Sequence, residues 1–235
     1  MNDLVKPLSK AASLKLAVSN GIRFSSPSKM PCFSWSLEAI DTCAGSIDPS
    51  TGLLVPACQG CYATTGFYQM PVVKAPRIHN KSDWKRDAWV SDMVTFLKTQ
   101  SFFRWFDSGD VYTVKLARKI LDVMIATPNC MHWLPTRMHK FSKFISVFDD
   151  MNALNNVVVR FSSDGIHGET IEGKYTSTIV EYADDEIAPA TMCSAYSNNG
   201  KCGDCRACWD KQTPIIAYPQ HGKKMAKINI ELKAA

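Results

Sequence analysis

Nine cysteines are the residues of this 235-residue sequence whose type and spacing could carry chemistry. Seven of them fall into two blocks: an N-terminal block with Cys43, Cys58 and Cys61, and a C-terminal block with Cys193, Cys202, Cys205 and Cys208. Both blocks are rich in glycine, proline and aspartate, whereas thiols that only fill a core would be scattered through apolar segments. The clustering therefore indicates metal ligands.

The C-terminal block has the pattern Cys202-x2-Cys205-x2-Cys208 and is preceded by Cys193. Successive two-residue spacings let thiolates converge on one compact centre, as in the cysteine runs of bacterial ferredoxins. A structural zinc site needs only four ligands and usually pairs two C-x2-C knuckles. The spacing favours an iron–sulfur cluster, most naturally of the 4Fe–4S type, and zinc stays open as an alternative.

The N-terminal block has the pattern Cys43-x14-Cys58-x2-Cys61, and its C-x2-C knuckle suits either zinc or a cluster. Seven soft ligands exceed one four-ligand site, so either some cysteines are spare or there are two sites. We expect direct metal ligation from five cysteines, and Cys43 and Cys193 complete the cofactor-binding set; the five are Cys58, Cys61, Cys202, Cys205 and Cys208. The two remaining cysteines, Cys32 and Cys130, are expected to be buried structural thiols.

The central part of the chain predicts strands that alternate with helices. Apolar runs at residues 102–106, 131–134 and 156–161 predict three strands, and helical spacing of apolar residues lies between them. This order implies parallel strands joined by right-handed crossovers. We expect one domain over residues 1–235, with an irregular lead-in at 1–31, cysteine blocks at 32–66 and 193–208, a helix after an N-cap at Ser82, and a late strand at 214–218.

Polar residues follow each predicted strand, and the carboxyl ends of parallel strands are where such sheets place their sites. Taken singly, these loops could be ordinary turns and N-caps. Five residues are the candidates for acid, base and anion-binding roles: His132, Arg137, Asp107, Asp110 and His221. Two arginines inside the strands, Arg104 and Arg160, are either carboxylate clamps or members of buried ion pairs.

Composition narrows the class of protein. Hydrophobic residues make up 46% of the chain, which excludes disorder, and no long uncharged apolar run predicts a membrane span. The first residues lack the apolar segment of a secretory signal, so we expect a cytoplasmic, reducing location in which cysteines stay free. The net charge of +5 is dispersed along the chain, and we therefore expect no nucleic-acid partner.

Four strings in this sequence resemble the phage gene product 88 domain family: ACQGCYATTGFYQMPVVKAPRIHN, FRWFDSGDV, HWLPTR and GKCGDCRACWDKQTPIIAYPQHG. The resemblance runs from about Cys43 to about His221, and the CxxCYA and CxxCxxCW strings are its specific parts. It implies a phage-encoded protein of the host cytoplasm with a cysteine-held iron–sulfur cluster.

A more distant similarity is to radical-SAM-like phage proteins, which share the C-x2-C-Y-A string and a strand that ends in Gly-Asp. It implies an α/β fold with a parallel (β/α) partial or TIM-like barrel, with the cysteine-rich loops at the carboxyl ends of its strands. The radical-SAM spacing C-x3-C-x2-C is absent, because Cys43 lies fifteen positions before Cys58. Ser108-Gly109-Asp110 stands in the place comparable to a Gly-Gly-Glu string.

A cluster held by only three thiolates keeps one iron open, and such an iron is a Lewis acid. We therefore expect an enzyme of hydrolytic, esterase-like or lyase type that acts on a small molecule. Two alternatives stay open at this point. One is a redox, electron-transfer or radical-SAM-like protein, and the other is a binding protein that zinc stabilises; no protein partner is indicated.

Overall fold

The structure is a computed structural model that describes residues 8–182 and 189–220. Its centre is a sheet of seven parallel strands in the order β1-β2-β3-β4-β5-β7-β6. The strands are β1 (Phe33–Trp35), β2 (Phe102–Trp105), β3 (Met131–Thr136), β4 (Val157–Ser162), β5 (Thr176–Val180), β6 (Ala190–Met192) and β7 (Ile215–Pro219). The predicted parallel sheet is confirmed. Within the described ranges the sheet is open, so a closed, TIM-like barrel is not confirmed.

Six α-helices are formed by the described residues. They are α1 (Lys10–Ser19), α2 (Pro56–Gln59), α3 (Pro71–Asp83), α4 (Trp89–Leu97), α5 (Val114–Ala126) and α6 (Ile145–Ala153). In α5, the hydroxyl of the N-cap Thr113 accepts a hydrogen bond from the Leu116 amide at 3.2 Å, and the apolar residues at helical spacing are fully buried. Helices α4, α5 and α6 cover one face of the sheet.

Two expectations about the N-terminal third are wrong. Residues 10–19 form helix α1, because Pro7 and Gly21 flank this alanine- and leucine-rich stretch instead of interrupting it. Ser82 lies in the last turn of α3, where its hydroxyl donates to the His79 carbonyl, and it is not the N-cap of a later helix. The helix predicted after it begins at Trp89 as α4.

The two faces of the sheet are packed differently. Phe103 and Trp105 of β2 point into the helix-covered core and are fully buried. Arg104 between them points to the opposite face, where its guanidinium stacks on Trp133 of β3 with 4.4 Å to the ring centroid. The C-terminal cysteine segment packs on this second face, with the Trp209 indole donating a hydrogen bond to the Phe103 carbonyl at 2.8 Å.

No helix in the described part of the chain is long and apolar enough to span a membrane.

Candidate functional site

A cavity of about 410 Å³ lies at the carboxyl edge of the sheet. Residues that follow or end four neighbouring strands line it: Asp107 to Asp110 after β2, Thr136 and Arg137 at β3, Ser162 at β4, and Thr178 and Ile179 in β5. The end of β7 closes another side. The polar loops therefore meet at a shared cavity, as the parallel order of the strands requires.

The three N-terminal cysteines lie on the wall of this cavity. Cys43, Cys58 and Cys61 are all among its lining residues, and all three are free. Cys58 and Cys61 flank a tight turn in which the Cys61 amide donates to the Cys58 carbonyl at 3.1 Å. The Ala57 amide donates to the Asp164 carbonyl at 2.9 Å and so anchors this knuckle to the loop after β4.

A small hairpin brings Cys43 to the knuckle across fourteen intervening residues. The Ser46 amide donates to the Cys43 carbonyl at 2.8 Å, and the Val55 amide donates to the Ser46 carbonyl at 2.9 Å. An antiparallel bridge pairs Ile47 with Leu54 between them. The turn at the hairpin tip is the Asp-Pro-Ser-Thr-Gly string that starts at residue 48. The hairpin thus brings Cys43 close to Cys58 although the two are far apart in the sequence.

Gly45 allows the turn after Cys43 to rest directly on the end of β3. A Cβ at position 45 would lie 2.4 Å from the Arg137 carbonyl oxygen, a contact that side chains do not make. Only glycine fits this close approach. Sequence inspection had not singled out Gly45, although a glycine two residues after a candidate ligand is the signal that could have identified it.

Burial suppresses ionisation of two of these thiols, Cys43 and Cys58. It raises the pKa of Cys43 to about 12, and the nearby Asp110 carboxylate and the other two thiols act in the same direction. Burial also raises the pKa of Cys58, although the guanidinium of Arg137 opposes it. At neutral pH both thiols therefore carry their protons, and a metal ion would have to displace those protons in order to bind.

Among the carboxylates that line the cavity, Asp110 is the one best suited to act as an acid or a base. Its two oxygens accept hydrogen bonds from the Thr136 hydroxyl at 2.7 Å and the Arg137 amide at 2.8 Å. Burial raises the pKa of this carboxyl despite these bonds. The Arg137 guanidinium donates to the Ser163 carbonyl at 2.8 Å and lies 3.5 Å from an Asp164 oxygen. Asp110 and Arg137 are therefore both brought to the cavity, beside the cysteines.

Asp107 also lines the cavity, but it is already engaged. Both of its carboxylate oxygens accept from Nη2 of Arg77, at 3.2 and 3.1 Å, and the Ser36 hydroxyl donates to one of them. Arg77 is buried, with 4% exposure, and comes from α3. No local pattern predicts a role for Arg77, and its one signal in the sequence is its place in the first of the family-like strings.

The structure does not bring His132 to the site. It is fully buried beneath the helices, and it is not among the cavity-lining residues. Trp105 donates to its Nδ1 at 3.3 Å, and its Nε2 lies 2.9 Å from the Thr127 hydroxyl. Burial lowers the pKa of His132 to about 3. The remaining catalytic candidate, His221, lies outside the described residues.

The C-terminal cysteines form a separate group on the second face of the sheet. The Cys202 amide donates to the Lys29 carbonyl at 2.8 Å, the Cys205 amide to the Cys202 carbonyl at 3.0 Å, and the Cys208 thiol lies 3.4 Å from the Tyr218 hydroxyl. Cys193 follows β6, and burial raises the pKa of Cys202 and of Cys208.

Two cysteines, Cys32 and Cys130, were expected to be structural thiols, and both are buried. Cys32 lies in the apolar cluster that contains Cys202 and Cys208. Burial raises its pKa to about 12, and the Cys202 thiol adds to the shift. Cys130 belongs to the helix-covered core.

Arg160 holds the C-terminal segment to the sheet. Its side chain is fully buried and donates to four backbone carbonyls: Ala207 at 2.9 Å, Cys208 and Asp210 at 3.0 Å, and Pro214 at 3.3 Å. It does not line the cavity. Of the two arginines considered as carboxylate clamps, only Arg104 is therefore open to a ligand.

Among the residues that the structure describes, no three His, Cys, Asp or Glu side chains are arranged so that they could already hold a metal ion. The Cys43, Cys58 and Cys61 thiols share a wall but do not yet point to one centre. Rotation about χ1 moves a cysteine thiol between its staggered positions without displacing the backbone. Three free thiols on one wall are soft donors, the ligand type that zinc and iron–sulfur clusters take.

A family model described as Gene product 88 matches residues 6–223 of the chain. No curated protein and no solved structure matches it.

Proposed function

The chain belongs to the phage gene product 88 family, and from its cavity we propose that it is an enzyme whose N-terminal cysteines hold an iron–sulfur cluster. One observation carries the proposal: three free cysteines, Cys43, Cys58 and Cys61, line the same cavity that receives the carboxyl ends of the strands. Three thiolates can hold a 4Fe–4S cluster while one iron keeps no protein ligand. When bound, such a cluster supplies a Lewis-acidic iron that polarises a substrate oxygen.

The substrate we propose is a small molecule. A cavity of about 410 Å³ has the size of an ordinary small-molecule site, and its walls combine apolar side chains with a few polar groups. The reaction class that suits a Lewis acid in such a cavity is hydrolysis of an ester-like bond or a lyase reaction. The reducing cytoplasm of the host is the location in which free cysteines and a cluster persist.

The chain's own residues take two roles in this proposal. Asp110 sits beside Cys43 and can hold or pass a proton at its carboxylate, since Thr136 and the Arg137 amide fix its orientation. Arg137 fixes the site rather than the substrate, because its guanidinium is already bonded to the Ser163 carbonyl. Asp107, held by Arg77, keeps the loop after β2 in place.

A specific observation favours a second candidate, a SAM-dependent enzyme. The cysteines lie on the segment after β1, and Ser108-Gly109-Asp110 directly follows β2 at the cavity. This placement parallels the similarity to radical-SAM-like proteins seen in the strings. An EPR spectrum of the reduced protein that changes on addition of SAM would favour this candidate, and an unchanged spectrum would favour hydrolytic or lyase chemistry.

We propose that the four C-terminal cysteines hold a second, structural centre, either zinc or another cluster. They surround the segment that Arg160 fixes to the sheet, and their sulfurs do not line the cavity. A zinc-stabilised binding protein without catalysis remains the third candidate, and it predicts zinc at both cysteine groups.

An activity assay distinguishes the proposed enzyme from a binding protein without catalysis. We expect cluster-loaded wild type to hydrolyse a panel of simple esters or to eliminate from small hydroxy acids, and Cys58→Ser to lose this activity. Cys130→Ser is the matched control, because Cys130 is buried in the helix-covered core. Activity that persists at the wild-type rate in Cys58→Ser or in cluster-free protein would contradict the proposal.

A further inference from the structure

Arg104 presents a partly buried guanidinium that forms no ion pair with a described carboxylate. It lines the cavity, stacks on Trp133, and donates to the Met30 thioether at 3.5 Å. Its Nε is buried and has no hydrogen-bond partner among the described residues. A buried donor without a partner costs the free energy of its lost hydration, so the site favours a ligand that accepts from it.

The charge balance around Arg104 also favours an anionic ligand. Burial by itself would lower the pKa of Arg104, but the Tyr62 hydroxyl and the Asp107 carboxylate raise it overall, so the guanidinium stays charged. Asp107, however, is the ion-pair partner of Arg77 at 3.1 Å. Two guanidiniums thus share one carboxylate, and no other described carboxylate pairs with Arg104. One positive charge is left over.

Other groups in the cavity add to this preference. The indole Nε1 of Trp133, on the ring beneath Arg104, is also a buried donor without a partner. The Lys29 ammonium, another lining group, lies 5.2 Å from the centroid of the Tyr196 ring. Two free N–H donors on stacked groups, with a second cation nearby, form the arrangement that receives an oxyanion.

Several aromatic rings also line the cavity. Tyr62 and Tyr68 meet at 5.1 Å between centroids, and three further rings line the space: Phe106, Tyr196 and Tyr218. Planar groups pack well against such rings. We propose that the cavity binds a small planar aromatic anion, with its carboxylate or phosphate on Arg104 and the Trp133 indole and its ring among the tyrosines. This proposal stands apart from the cluster, since no cysteine is needed for it.

A competing role for Arg104 is support of the C-terminal thiolates. Its charge lowers the pKa of Cys202 and of Cys208 against the larger effect of burial. That role would leave the Nε donor and the Trp133 indole without partners, whereas a side-chain shift that opens both donors to the cavity would let an anion accept from them. The two roles predict different binding behaviour.

Isothermal titration calorimetry of the purified full chain tests the proposal with three probes: benzoate, phenyl phosphate and neutral benzamide. We expect at least one anionic probe to bind one site per chain and benzamide to bind at least about tenfold more weakly. The tighter of the two anions identifies the carboxylate or the phosphate as the natural group. Failure of both anions to bind, or equal binding of benzamide, would overturn the proposal.

Variants locate the site. Arg104→Gln should weaken binding of the preferred anion by about tenfold or more. Arg104→Lys keeps the positive charge but loses the paired N–H donors of the guanidinium, so its affinity should lie between those of the wild type and Arg104→Gln. Arg118→Gln is the control, because Arg118 is exposed on α5. If Arg104→Gln folds and binds the anion as tightly as the wild type, the proposal is overturned. If Arg104→Gln does not fold, the proposal is overturned by wild-type affinity in Arg104→Lys. We expect the same anion affinity in wild-type preparations that differ in iron content, which separates this result from the fate of the cluster.

Discussion

A Cβ on Gly45 would lie 2.4 Å from the carbonyl oxygen of Arg137. This contact fixes how closely the turn after Cys43 approaches the end of β3. It therefore also fixes the distance between Cys43 and the knuckle that carries Cys58. The position of one proposed ligand depends on the absence of a single methyl group.

Gly45→Ala should consequently damage the N-terminal cysteine site. The added methyl must push the turn from β3, at a cost of about 1–3 kcal/mol in the free energy of unfolding, with loss of metal from Cys43. Urea denaturation and metal content measure the two effects. Gly52→Asn is the control, because Gly52 has open space around it and a left-handed backbone that asparagine accepts. Equal metal content in Gly45→Ala and wild type would contradict the account.

Arg77→Met should be strongly destabilising. It leaves the Asp107 carboxylate buried without its partner, and removing one member of a buried pair costs about 3–5 kcal/mol. Lys81→Met provides the comparison, because the pair of Lys81 with Asp41 is exposed and worth about 0–1 kcal/mol. Denaturant titrations of both variants give the difference; similar losses would show that Asp107 is not held as the structure shows.

Arg160→Met should release the C-terminal cysteine segment. Four carbonyls lose a charged donor, so we expect a loss of about 3 kcal/mol or more and faster hydrogen exchange over residues 202–214. Arg206→Met should change stability by no more than about 1 kcal/mol, because Arg206 donates hydrogen bonds to carbonyls of its own loop, at Gly203 and Cys205, and otherwise contacts the Phe102 ring at 5.1 Å from its centroid. Unchanged exchange in Arg160→Met would restore Arg160 as a candidate substrate clamp.

His132 should make stability depend on pH. Its pKa falls from 6.5 to about 3 on folding because of burial, so the unfolded chain binds the proton more tightly. The stabilisation is complete above about pH 6.5 and declines, by up to about 1.4 kcal/mol per pH unit, as the pH falls towards 3. Thr127 donates to the Val123 carbonyl, so its oxygen accepts from Nε2–H of a neutral ring.

Urea denaturation at several pH values checks this expectation against His132→Gln, in which the amide can replace both hydrogen bonds without titrating. The variant should show a flatter dependence of stability on pH. Identical curves for the two proteins would mean that His132 is not buried in its neutral form. Because His132 does not line the cavity, we also expect the variant to keep the activity of the wild type.

The sheet could be predicted because its strands are continuous apolar runs that end in polar loops, as in residues 156–161. The meeting of these loops at one cavity followed from the parallel order alone. Spacing divided seven cysteines into two groups but could not place Cys32, because Cys32 reaches Cys202 only through the packing of both segments on the sheet. Pairing of Arg77 with Asp107 joins α3 to β2, and no local pattern signals such a contact.

The same limit applies to buried polar residues. Arg104 and Arg160 both interrupt apolar strands, yet Arg160 bonds to backbone carbonyls whereas Arg104 faces the cavity. Their different roles depend on which loop covers each side chain. A sequence pattern shows the residue type but not which segments pack over its side chain. For this reason the sequence also indicates His132 as a catalytic candidate.

The most direct test of the account is the iron, zinc and acid-labile sulfide content of anaerobically purified protein. We predict iron and sulfide in equal amounts in the wild type, a loss of about four irons per chain in Cys58→Ser, and no loss in the control Cys130→Ser. Zinc without sulfide in the wild type, or the same iron content in Cys58→Ser as in wild type, would contradict the proposed cluster at Cys43, Cys58 and Cys61.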